Sequence, residues 1–161
     1  MKCVKFAAAI AMCLGVGQAF AQTCASPLAL TAAGVASVDG CAAATTNSVP
    51  LVCLLNDNPS QDTIFSFTLG AGFTATAIHL TTTTATYTAQ MILQQACGST
   101  TECIVTANAA AGGAADLTLT GQAPGAYFLI VDGTNASTDC GVFSLSLNGT
   151  LPVQLQKFSV D

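Results

Sequence analysis

Apolar residues recur at every second position in this chain, and turn formers punctuate the runs. Phe65, Phe67 and Leu69 alternate with Ser66 and Thr68; Leu117 and Leu119 alternate with Thr118 and Thr120; Phe143, Leu145 and Leu147 alternate with Ser144 and Ser146. Successive side chains of a strand leave opposite faces, so this pattern suits half-buried strands and no helix. The stretch from Gly125 to Asp132 is apolar at both parities (Ala126, Tyr127, Phe128, Leu129, Ile130, Val131) and predicts a central strand covered on both sides. Asn56-Asp57-Asn58-Pro59, Gly70-Ala71-Gly72, Pro124-Gly125, Asp132-Gly133 and Asn148-Gly149 separate the runs. Thr-rich residues 81–88 suit a pleated surface, because a branched Cβ is stiff in a helix.

About nine strands follow, near 49–55, 63–69, 73–80, 86–95, 102–107, 115–120, 126–132, 141–148 and 152–160. Short strands at this spacing predict an all-β, antiparallel β-sandwich with almost no helix. Phe65, Phe67, Leu117, Leu119, Leu129, Phe143 and Leu145 are expected to be buried together. The Ala-rich residues 107–115 contain Gly112 and Gly113 and are expected to form a flexible loop.

The first 21 residues have the layout of a signal peptide: Lys2 and Lys5, an apolar stretch from Phe6 to Val16, and Ala19-Phe20-Ala21 as a small-x-small cleavage site. The apolar run is shorter than the ~20 residues a spanning helix needs, and no later run reaches that length, so no membrane span is expected in the mature chain. The division is therefore 1–21 signal peptide, 22–150 sandwich domain and 151–161 an edge strand or tail. A secreted protein is expected, extracellular, at the cell surface or in the periplasm. Beyond residue 21, Lys157 is the sole Lys or Arg against eight acidic residues. Binding a polyanion takes Lys and Arg, so nucleic acid is excluded as a partner.

Six cysteines follow the leader: Cys24, Cys41, Cys53, Cys97, Cys103 and Cys140. An even number in an exported chain predicts disulfides. Cys97 and Cys103 flank a polar hairpin loop and are expected to pair. Cys24–Cys41 with Cys53–Cys140 would complete the set by elimination; Cys24–Cys140 with Cys41–Cys53 is the rival. No C-x₂-C occurs and His79 is the single histidine, so a zinc site is not expected.

The order of features from Asp62 to Leu147 resembles the bacterial pre-peptidase C-terminal domain family. The segments that carry the likeness are DTIFSFTL, TAQMILQQACG, and ADLTLTGQAPGAYFLIVDG followed by CGVFSLSL. The resemblance implies a jelly-roll-like β-sandwich of the kind appended to secreted peptidases and other exported proteins, and its motifs are structural. The final LPVQLQKFSVD is similar to a stretch near the ends of bacterial exported surface proteins.

Catalysis is not expected. His79 reads as a solvent-facing strand residue, no G-x-S-x-G surrounds any serine, and Glu102 lacks a second carboxylate at a recognisable spacing. Tyr127 and Phe128 read as core and not as a stacking platform. No cofactor is expected. Oxygen donors gather in two loops, Asn56-Asp57-Asn58 with Asp62 and Asp132 with Asn135 and Asp139. Calcium takes six to eight such ligands, so the two loops would have to meet, and no specific calcium site is expected. These readings predict a non-catalytic secreted or cell-surface module for binding or display, its partner an unidentified exported protein or surface glycan. The alternative is a structural subunit that assembles by strand exchange through 151–161; a small secreted hydrolase is the third reading.

Overall fold

A computed structural model describes residues 23–43, 60–134 and 139–151. Nine strands occur among them: β1 (Leu28–Ala29), β2 (Val35–Asp39), β3 (Thr63–Leu69), β4 (Ala77–Thr82), β5 (Ala89–Gln94), β6 (Val105–Ala109), β7 (Ala114–Thr118), β8 (Gly125–Gly133) and β9 (Val142–Asn148). The helical segment among the described residues, α1 (Gly40–Ala43), is a single turn. The strands form a five-stranded sheet in the order β1-β3-β8-β5-β6 and a four-stranded sheet in the order β2-β9-β4-β7. All pairings are antiparallel except that of β1 with β3. This is the expected all-β sandwich. Among the described strands only β5 and β6 are consecutive members of one sheet; the others alternate between the two sheets, as in jelly-roll sandwiches.

The core lies between the sheets. Phe65, Phe67, Leu117, Leu119, Leu129, Phe143 and Leu145 all join one buried cluster, as their parity requires. Phe143 of the four-stranded sheet packs edge-on against Phe65 of the five-stranded sheet at 6.2 Å between centroids, and Phe67 stacks on Tyr127 at 5.8 Å. Tyr127 is buried and donates its hydroxyl to the Ala123 carbonyl at 2.7 Å, so it belongs to the core. Phe128 is half-buried on the opposite face of β8 against a second apolar group, Ile64, Ile92 and Ile130. The five-stranded sheet is therefore covered on both faces at its centre, where β8 sits.

Several expectations are corrected. β1 and β2 were not anticipated. The β2–β9 register shifts between Val35 and Val38, and such a bulge turns two valines three apart towards one side, which breaks the period of two. The expected flexible loop at 107–115 is a tight turn: β6 runs to Ala109, β7 starts at Ala114, and the Gly113 N–H bonds the Ala110 carbonyl at 2.8 Å. Gly112 supplies the turn with φ +64°. The expected strands at 49–55 and 152–160, the leader, Cys53 and nearly all of the 151–161 tail lie outside the described residues.

The disulfide pairings also differ. Cys97 bonds Cys24, and Cys41 bonds Cys140, so neither proposed set holds. Cys103 is disulfide-bonded too, but its partner is none of these four. The turn between Cys97 and Cys103 is closed by polar side chains instead. Gln94 Nε2 donates to the carbonyls of Ser99 and Glu102 at 3.1 and 2.9 Å, and the Glu102 carboxylate accepts the N–H groups of Gln95 and Ala96 at 2.8 and 2.7 Å. Glu102 is thus a structural cap. The Cys24–Cys97 bridge, with both half-cystines packed on the Ile64, Ile92 and Ile130 group, ties the segment before β1 to the outer face of the five-stranded sheet.

Candidate functional site

Two polar arrangements stand out, one on each outer face of the sandwich. The first is buried. Alternation along β5 and β8 turns Met91, Leu93, Leu129 and Val131 inwards, so Gln90, Ile92, Ile130 and Asp132 face outwards. Gln90 is the direct cross-strand partner of Asp132, and paired residues on one face have Cβ atoms about 5 Å apart. On the other side of β8, Thr63 pairs with Val131, which puts the preceding Asp62 next to Asp132. Ser60, Asp62, Gln90 and Asp132 are all at most 1 % exposed. The Ser60 hydroxyl lies against an Asp132 carboxylate oxygen and, at 2.7 Å, against the Gly133 carbonyl. Both polar atoms of the Gln90 amide and the second carboxylate oxygen of Asp132 lack a hydrogen-bond partner.

Burial dominates the electrostatics here. Loss of water pushes the Asp132 carboxyl up to about 7, the Ser60 hydrogen bond opposes that rise, and the neighbouring charge of Asp62 adds to it. Tyr87, buried in the core, is pushed upward mainly by desolvation and then by Asp132. Asp139 belongs to the frame. Its carboxylate accepts from the Thr88 hydroxyl at 2.6 Å and the Thr134 N–H at 3.0 Å, tying the β8 end to the segment that leads into β5. Its carbonyl passes so close to Gly133 that an added Cβ would sit 2.0 Å away, so β8 must end in glycine.

The second arrangement is open to solvent, on the outer face of the four-stranded sheet. His79 of β4 pairs across the ladders with Asp116 of β7 and Ser146 of β9. Its Nδ1 lies 2.8 Å from Asp116 Oδ1 and its Nε2 3.2 Å from Thr81 Oγ1. The order carboxylate, imidazole, hydroxyl is that of acyl hydrolases. Such chemistry also needs N–H donors aimed at an oxyanion. The β4 backbone is laddered to β7 on one side and β9 on the other, so its amides are committed to the sheet. The His79 and Asp116 side chains are 42 % and 66 % exposed, and water screens an attraction at that exposure. Around them Ser37, Thr118, Ser146 and Asn148 are exposed, giving a face of hydroxyls and small polar side chains.

His79 is thus solvent-facing, as expected, and Asp62 and Asp132 do meet, which the sequence did not establish. The sequence gives no signal for Gln90: β5 reads AQMILQ, and nothing in its spacing separates Gln90 from Gln94, which closes the following turn. Among the described residues no cluster of three or more His, Cys, Asp or Glu is placed to hold a metal, and no helix is long and apolar enough to cross a membrane. No family model, curated protein or solved structure matches this chain.

Proposed function

We propose that this chain is an exported, non-catalytic β-sandwich module that binds or displays at the cell surface. The observation that carries the reading is the contrast between the two outer faces. One is covered at its centre and pinned by Cys24–Cys97; the other is an open four-stranded surface rich in Thr, Ser and small residues, with few charges. A polar face without strong charge suits hydrogen bonding to a neutral partner, such as a surface glycan or the edge of another exported protein. Export is supported by the signal-like residues 1–21 and by five disulfide-bonded cysteines among the described residues. The likeness to the pre-peptidase C-terminal family points the same way. The test is depletion of the purified, oxidised chain from solution by cell envelopes and insoluble polysaccharides. Saturable depletion by one of them supports the reading. Hydrolytic turnover that is lost on His79→Ala overturns it.

A further inference from the structure

We propose that Asp62, Asp132, Gln90 and Ser60 form a binding site for a hard divalent cation of calcium's class on the outer face of the five-stranded sheet. Two buried carboxylates side by side repel each other and have lost their hydration, a combination that a folded chain compensates with a counter-charge. This chain has no Arg, and its three Lys are Lys2, Lys5 and Lys157, so no described residue other than the distant, exposed His79 can carry a positive side-chain charge.

The second observation is independent of the acids. Gln90 is 1 % exposed, stands directly opposite Asp132, and has neither of its amide atoms hydrogen-bonded. An amide buried with nothing to bond costs about as much as a lost hydrogen bond or more. Its carbonyl oxygen is a hard donor at the position paired across the ladder with Asp132, one of whose oxygens is likewise partnerless. Together with Asp62 and the Ser60 hydroxyl, these supply the oxygen set that calcium prefers over nitrogen or sulfur, with water completing the shell. Only two of the four residues are acidic; the amide and the hydroxyl supply the other oxygens. A proton can neutralise one carboxyl in acid; at neutral pH a cation neutralises both and also engages the amide.

The experiment is thermal unfolding of the purified, oxidised chain, stripped with chelator and titrated with calcium chloride. The melting temperature rises by several degrees at millimolar calcium and returns on adding chelator. Asp132→Asn and Gln90→Leu abolish the response, whereas Asp116→Asn, on the opposite face, keeps it. Ser60→Ala removes one hydroxyl, disturbs folding least, and raises the calcium concentration for half-response about tenfold. The proposal is overturned if the parent chain responds to neither calcium nor chelator, if Ser60→Ala leaves the half-response unchanged, or if Asp116→Asn alone removes it.

Discussion

Gln90 on β5 stands directly across the ladder from Asp132 on β8, and both side chains are sealed from solvent on a face that also holds Asp62. A carboxyl placed this way is held protonated well above the usual carboxylate range, and its pKa of about 7 has consequences for stability. The unfolded chain ionises Asp132 near pH 4 while the folded chain keeps the proton to about pH 7, so the unfolded state loses its proton first. In chelator, stability therefore falls as pH rises through that window and levels off above it. The loss is of the order of a few kcal/mol. Urea unfolding from pH 4 to 8 checks this, and Asp132→Asn should flatten the profile and leave the protein more stable than the parent at pH 8.

The Cys24–Cys97 bridge closes a separation of 73 residues. On the chain-entropy model a loop of that size contributes about 4 kcal/mol. Replacing both cysteines with Ala should lower stability by about 2–4 kcal/mol in denaturant titration. Peptide mapping without reductant should recover Cys24 joined to Cys97 and Cys41 joined to Cys140; a Cys97–Cys103 peptide would contradict the fold.

Phe143 touches Phe65 across the interlayer gap and Tyr87 at 6.3 Å, with no exposed surface of its own. Phe143→Ala leaves a cavity that two sheets cannot close by small shifts, and about 3–5 kcal/mol is the expected loss. Val142→Ala, one residue away on the opposite face of β9, should cost far less, and the contrast between the two tests the strand's register.

His79→Ala should change stability by no more than about 0.5 kcal/mol, because the Asp116 contact is exposed to water on both partners. Urea unfolding at two salt concentrations measures it. A large loss, insensitive to salt, would contradict the exposed placement of the pair.

What the sequence showed and what it hid divide along physical lines. Regular alternation in Phe65–Leu69 and Phe143–Leu147 marks an inner and an outer face, so the sandwich and its core were legible. β2 was hidden because a bulge spaces Val35 and Val38 against the period. The disulfides were hidden because bridges record spatial neighbours 73 and 99 residues apart, and a hairpin that looked closed by cysteines is closed by Gln94 and Glu102. Asp62 and Asp132 were visible as loop acids, but only the pairing of β3 with β8 brings them together.

On the proposed function, the open four-stranded face is the working surface. The direct measurement is retention of the purified chain on the envelope or polysaccharide that depletes it, compared between two double variants. Thr118→Arg with Ser146→Arg puts bulk and charge on exposed positions of the open face, whereas Thr68→Arg with Thr106→Arg does the same on exposed positions of the five-stranded sheet. Loss of retention at least tenfold in the first, with the second behaving as the parent (tenfold corresponding to about 1.4 kcal/mol), is the result predicted. Equal retention by both variants, or loss confined to the second, would contradict it.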